Sequence, residues 1–206
     1  EVKPVTWLLT RAFAGSECCG FQVQPNGRGV AAAFQDGLEA VIGRRPDIQG
    51  CSRTAAGGHA LGFALSFEAD LRIPPEKLPL ALNTKLPRDI RVLSARVVPD
   101  GFHARYAAHT KTYLYRIRNS PIDSPFEERY YCRIPGRLDV ERMQRAAAHF
   151  VGTHDFLALC AAHSSAAAHG DTVRTITACG AERHGDTVEI TVTADGYLYN
   201  MVRILA

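Results

Sequence analysis

Apolar residues recur along the chain at two periods, and the switches between them divide it into strands and helices. Val5, Trp7 and Leu9 take alternate positions, so Val5–Arg11 is expected as a first strand, followed by a turn at Phe13-Ala14-Gly15-Ser16. Gly20-Phe21-Gln22-Val23-Gln24-Pro25-Asn26-Gly27 ends in an Asn-Gly loop signal. Val30, Phe34, Leu38, Val41 and Ile42 recur at helical spacing and predict an amphipathic helix stopped by Gly43. Leu61, Phe63, Leu65 and Phe67 alternate on one face of a half-buried strand. Leu78 and Leu82 mark a shorter helix whose start is limited by Pro79. Ile90–Val98 reads as a strand closed by the turn Pro99-Asp100-Gly101, and His109–Asn119 as a long strand with Tyr113, Tyr115 and Ile117 on one face. Val140, Met143, Ala147, Phe150 and Val151 predict another helix, with Asp139 as N-cap and Gly152 as stop. Ser164–Gly170 is small and polar and is expected to be a mobile loop, before strands at Val173–Ile176 and Val188–Val192.

The order strand, helix, strand, strand occurs roughly twice, in residues 1–108 and 109–206. An α+β fold is therefore expected: two ferredoxin-like (RRM-like) halves, with antiparallel sheets joined side by side around a central cleft. No sequence repeat links the halves, so the duplication rests on element order alone.

Composition adds little to this. The chain has 206 residues, 46% hydrophobic and 22% charged, as in an ordinary globular protein. No run of 18 apolar residues is present and none is expected to cross a membrane. The opening Glu1-Val2-Lys3-Pro4 lacks the pattern of a secretory signal, so a cytoplasmic location with reduced thiols is expected. The six cysteines form no Cys-x-x-Cys and have no histidine at zinc-finger spacing, so no metal is expected. A net charge of +3 permits a nucleic-acid partner without demanding one. Local basic clusters at Arg44-Arg45, Lys85-Arg88-Arg91 and Lys111-Arg116-Arg118 fit a phosphate track or plain solvated charge.

Candidate chemistry concentrates in Ser52-Arg53-Thr54-Ala55-Ala56-Gly57-Gly58-His59-Ala60, a tight Gly-rich turn that holds an arginine just before a core strand. This stretch resembles the signature of the TruA family of tRNA pseudouridine synthases, Arg-Thr-Asp-x-Gly-Val-His-Ala. Further blocks occur in the same order. Phe13, Gly15, Gly20, Phe21, Gln22, Gln24 and Asn26 match the family's first block, and Leu82-Asn83 with Leu86-Pro87 the next. Phe102-His103-Ala104-Arg105-Tyr106, Tyr113, Gly152-x-His154-Asp155-Phe156 and Met201-Val202-Arg203 follow. The departures are as informative: Ala55 stands at the family's nucleophilic Asp, Ala14 at a second Asp, and Gly58 at its Val. Family members also normally continue past the final block.

The resemblance implies isomerisation of uridine to pseudouridine in the tRNA anticodon arm, at positions 38–40, by a homodimer that needs no cofactor. It implies that Tyr113 stacks on the target base and that Arg203 pairs with the nucleophilic carboxylate. Arg53 would help open the target base pair or hold its phosphate. Lys85, Arg105 and Lys111 would be phosphate contacts, and His59 a residue that caps the turn. An alanine side chain has no oxygen with which to act as a nucleophile or carry charge. No Asp or Glu lies within five residues of Ala55. The chain as written is therefore expected to be inactive or impaired. It is either a synthase deprived of one group by substitution or a family member that has become an RNA-binding or scaffold protein.

Overall fold

A computed structural model of the chain describes residues 4–22, 27–162 and 164–206. Gln24, Asn26 and most of the Asn-Gly loop signal lie outside the described residues. The chain divides into two compact units, Glu1–Ala108 and His109–Ala206.

The first unit runs β1 (Val5–Phe13), α1 (Val30–Ile42), β2 (Ile48–Gly50), β3 (Ala60–Ala69), α2 (Leu78–Asn83), β4 (Ile90–Val98) and α3 (Ala104–Ala107). Its sheet has the order β2-β3-β1-β4 with antiparallel neighbours, the βαββαβ arrangement of a ferredoxin-like fold. Trp7, Leu9 and Phe13 of β1 enter the core with Phe63, Leu65 and Phe67 of β3 and Ile90 and Val92 of β4. Val30, Phe34 and Leu38 of α1 and Leu78 and Leu82 of α2 cover that face, as their spacing predicts. Gly43 ends α1 in the left-handed region at φ 75°, its N–H bonded to the Glu39 carbonyl. Asn83 then ties α2 to β4: its Nδ2 donates to the Val92 carbonyl (2.9 Å) and its Oδ1 accepts the Val92 N–H (2.8 Å).

The second unit runs β5 (Lys111–Arg118), β6 (Cys132–Arg133), α4 (Val140–Ala148), β7 (Gly152–Asp155), α5 (Ser165–His169), β8 (Val173–His184), β9 (Thr187–Ala194) and α6 (Met201–Leu205). The sheet order is β6-β5-β9-β8-β7; β6 lies parallel to β5 and the other pairs are antiparallel. Its core is Ile117, Phe156, Ile176, Val188, Ile190, Val192, Leu198 and Met201. Asp139 caps α4 as expected, accepting the Arg142 N–H at 3.0 Å.

Three expectations are corrected. Leu61 is 76% exposed, not part of the buried face. Between Arg11↔Phe63 and Phe13↔Ala60, β3 carries one residue more than β1, and this bulge reverses the alternation beyond Phe63. Helix α4 ends at Ala148, before Gly152, because His149, Phe150 and Val151 donate to carbonyls three residues back and tighten the last turn. Ser164–Gly170 is a capped helical turn: Ser164 Oγ accepts the Ala167 N–H (3.2 Å) and Gly170 closes it at φ 69°.

Candidate active-site elements

The Ser52–Ala60 stretch is held in shape by backbone bonds. The Ala55 carbonyl accepts the Gly58 N–H at 3.1 Å. Gly57 has φ 74° at the third position, which fits a type II turn and favours glycine there. Three bonds then tie this loop to the segment after β1. Gly57 N–H donates to the Cys18 carbonyl (3.1 Å), Phe21 N–H to the Thr54 carbonyl (3.3 Å) and Gly15 N–H to Nδ1 of His59 (3.1 Å). The approach is close: a Cβ on Gly15 would collide with the Gly58 carbonyl. Ala14 and Ala55, where the resemblance leads one to expect carboxylates, thus sit on segments laced together through their neighbours.

Ala55 is half-buried, Arg53 exposed and His59 half-buried, all on this loop. Lys85, exposed, follows α2. Arg105, also exposed, lies on α3, where its N–H is capped by Nδ1 of His103 at 3.2 Å.

A carboxylate near Ala14 was not visible in the sequence. Asp89 accepts the Ala14 N–H through its carbonyl (2.9 Å), and its carboxylate is clasped by both terminal nitrogens of Arg28 at 2.8 Å. That bidentate bond holds the Asp89 carboxyl below the usual carboxylate range and raises Arg28. The partners are 61 residues apart and no periodicity links them. The one local hint is that Asp89 sits at the entry to a strand.

In the second unit Tyr113 lies on β5 opposite Val192 of β9. Its ring meets that of Tyr197 edge-on, centroids 4.6 Å apart. The Tyr197 hydroxyl is directed at the carbonyls of Lys111 (2.9 Å) and Val192 (2.7 Å), which fixes the ring behind Tyr113. Burial, and then the nearby Tyr113, push Tyr197 ionisation far above the usual tyrosine range. Tyr115, on the same face of β5, is raised by its hydrogen bond to Cys132 and by burial, while the charge of Arg203 acts on it in the opposite sense. Helix α6 packs on β5, with Met201 buried and Arg203 exposed. Lys111 is half-buried at the start of β5 and serves this cluster through its carbonyl. The unit therefore presents aromatic rings on one strand and an arginine on the helix packed against it, groups suited to a nucleobase and an anion respectively.

Among the described residues no cluster of three or more His, Cys, Asp or Glu side chains could hold a metal ion, and no helix is long and apolar enough to cross a membrane.

A profile described as tRNA pseudouridine synthase matches residues 146–206. tRNA pseudouridine synthase A of Halalkalibacterium halodurans is 41% identical over 198 residues, 96% of this chain and 74% of that protein. The enzyme of the same name from Thermoanaerobacter sp. (strain X514) is 40% identical over 198 residues, 96% of this chain and 80% of its own. That of Shouchella clausii is 41% identical over 195 residues, 94% of this chain and 74% of its own. Such identity along nearly the whole chain, on an α+β fold with two sheets, places this protein in the tRNA pseudouridine synthase family, among isomerases of the tRNA pseudouridine synthase A type.

Proposed function

We propose that the substrate is the tRNA anticodon arm, at positions 38–40, engaged by a cytoplasmic homodimer, and that the chain as written binds this substrate without turning it over. The reaction breaks the bond from ribose C1′ to uracil N1, turns the base, joins C1′ to C5 and releases the C5 proton. Nothing is consumed, so no cofactor is required. The base must leave its stack, which costs a few kcal/mol and calls for an aromatic face. In this reading residues 1–108 carry the nucleophile position and 109–206 carry Tyr113, which stacks on the base and helps remove the C5 proton, and Arg203, the cation for the carboxylate. Arg53 assists opening of the base pair, His59 holds the turn, and Lys85, Arg105 and Lys111 meet phosphates. Supporting this, His59 accepts the Gly15 N–H, and the rings of Tyr113 and Tyr197 are fixed in contact.

One observation carries the inactivity: position 55, on a loop pinned by backbone bonds, bears a methyl group where chemistry needs a carboxylate. A second reading, an RNA-binding or scaffold protein, is favoured by Ala14, a further lost carboxylate on the segment bonded to that loop. Unmodified tRNA incubated with the chain separates them. Carbodiimide mapping should find no pseudouridine at positions 38–40 with the parent and pseudouridine there with Ala55→Asp. Tight tRNA binding with no product from either protein would favour the scaffold reading. Product at other positions would overturn the anticodon-arm assignment.

A further inference from the structure

Tyr197 lies in the short crossing from β9 to α6, on a backbone pinned at both sides. Just before it, the Thr175 N–H donates to the Asp195 carboxylate at 3.0 Å and the Asp195 N–H to the Thr175 carbonyl at 3.1 Å. Just after it, Leu198 is buried in the core of the second unit, and the Tyr199 carbonyl accepts the Ala161 N–H at 3.0 Å. The Tyr197 side chain therefore departs from a fixed base.

Its far end is fixed as well. The hydroxyl reaches the carbonyls of Lys111 (2.9 Å) and Val192 (2.7 Å), and because a carbonyl can only accept, one proton is shared between two acceptors. Val192 is the residue opposite Tyr113 across the β5–β9 ladder, and Lys111 lies two positions before Tyr113 on the same face of β5. Both anchors thus belong to the immediate backbone frame of Tyr113. Between them the Tyr197 ring meets the Tyr113 ring at an interplanar angle of 69°, with centroids 4.6 Å apart. Burial holds the Tyr197 proton in place well above the usual tyrosine range, so this hydroxyl stays a donor. Tyr113 is only half-buried, which leaves part of its ring open. Six residues after Tyr197 the same segment carries Arg203.

We infer that Tyr197 is a positioning residue for uridine isomerisation: it sets the tilt of the Tyr113 ring and ties that ring to the segment leading into α6 and Arg203. The inference rests on the reading that Tyr113 stacks on the target base. A ring free to rock would have to be ordered as the base lands on it, whereas a ring already held presents its face at no such cost. Tyr197 acts through Tyr113 alone. Its hydroxyl is committed to two carbonyls and takes no part in moving the C5 proton. A phenylalanine at 197 would keep the ring contact and lose both anchors, and a leucine would lose the ring as well.

The test is fluorine NMR of an anticodon stem-loop carrying 5-fluorouridine at position 38, 39 or 40 in turn, bound to the full chain as written. Stacking on a tyrosine displaces the fluorine resonance, a signature that a loss of stability alone does not move. Tyr113→Leu should abolish the displacement and weaken binding about 5–150-fold, the worth of one stacked base. Tyr197→Phe should cut the displacement by about half, and Tyr197→Leu should remove it, because the supporting ring and its anchors are lost in turn. Folding of each variant is checked by near-ultraviolet circular dichroism, and Tyr197→Phe decides if Tyr197→Leu does not fold. The parental displacement in Tyr197→Phe, with none in Tyr113→Leu, would overturn this inference and leave the stacking reading standing. No displacement in the parent, or an unaltered one in Tyr113→Leu, would overturn the stacking reading and this inference with it.

Discussion

The N–H of Gly15 donates to Nδ1 of His59 across 3.1 Å, joining the segment after the first strand to the loop that bears Ala55. Because Nδ1 accepts, it must carry the lone pair, which leaves Nε2 to bear the proton. The bond requires the backbone of Gly15 to run hard against Gly58, where a side chain has no room.

Gly15→Ala should therefore force the two segments apart. A cost of about 1–3 kcal/mol is expected from the overlap and the strained hydrogen bond. Thermal denaturation would show it as a drop of roughly 2–10 °C in Tm. An unchanged Tm would mean that the loop does not need this contact.

Arg11→Met should stabilise the protein. Arg11 is fully buried and its three guanidinium nitrogens meet no hydrogen-bond acceptor among the described residues, so an apolar side chain of similar length removes a desolvation penalty of about 1–3 kcal/mol. The sign of the pH dependence follows from its lowered pKa. Arg11 titrates at about 9 when folded against an ordinary 12.5, so above pH 9 the unfolded chain binds more protons at this site. The parent's penalty is complete below pH 9 and is relieved as pH rises through that value. The difference in Tm between Arg11→Met and the parent should accordingly be largest at pH 7 and shrink by pH 10. A variant less stable than the parent at pH 7 would show that the rings of Phe13, Phe21, Phe34 and Phe63 around the guanidinium more than offset the burial of the charge.

How much of this the sequence disclosed depends on the range of the interaction. Helix α1 was legible from end to end, because its apolar spacing and the stop at Gly43 are local. So was the Asp139 cap of α4. The outward turn of Leu61 was not, since it arises from a bulge in the pairing of β3 with β1. The Ser164 helix was read as a loop because its residues are small and polar, although Ser and Gly stand at its two ends where caps belong. Arg11 could have been found. It continues the alternation Trp7, Leu9, Arg11, Phe13, and an arginine on a buried parity is itself a signal. Motif order singled out Arg53, Ala55 and Tyr113 as candidates. It could not show that Tyr197 backs Tyr113 or that Asp89 holds Ala14, since both are contacts between distant segments.

Asp89→Asn should weaken the start of β4 and the Ala14 segment together. Arg28 and Asp89 are partly exposed, with side chains 38% and 25% accessible, so solvent screening limits the loss to about 0.5–1.5 kcal/mol. Because the folded Asp89 pKa is depressed, its contribution is present above the ordinary carboxylate pKa and fades as pH falls through the folded value. Parent and Asp89→Asn should then differ in denaturant midpoint at pH 7 and converge in acid, below the ordinary carboxylate range. A constant difference at all pH values would mean that the pair is not the cause.

The central claim is that position 55 alone separates this chain from catalysis. It is tested most directly by tritium release from an anticodon stem-loop labelled at uridine C5, with the parent beside Ala55→Asp. The account predicts no release above background from the parent and multiple-turnover release from Ala55→Asp. Release from the parent at a rate comparable to Ala55→Asp would contradict it.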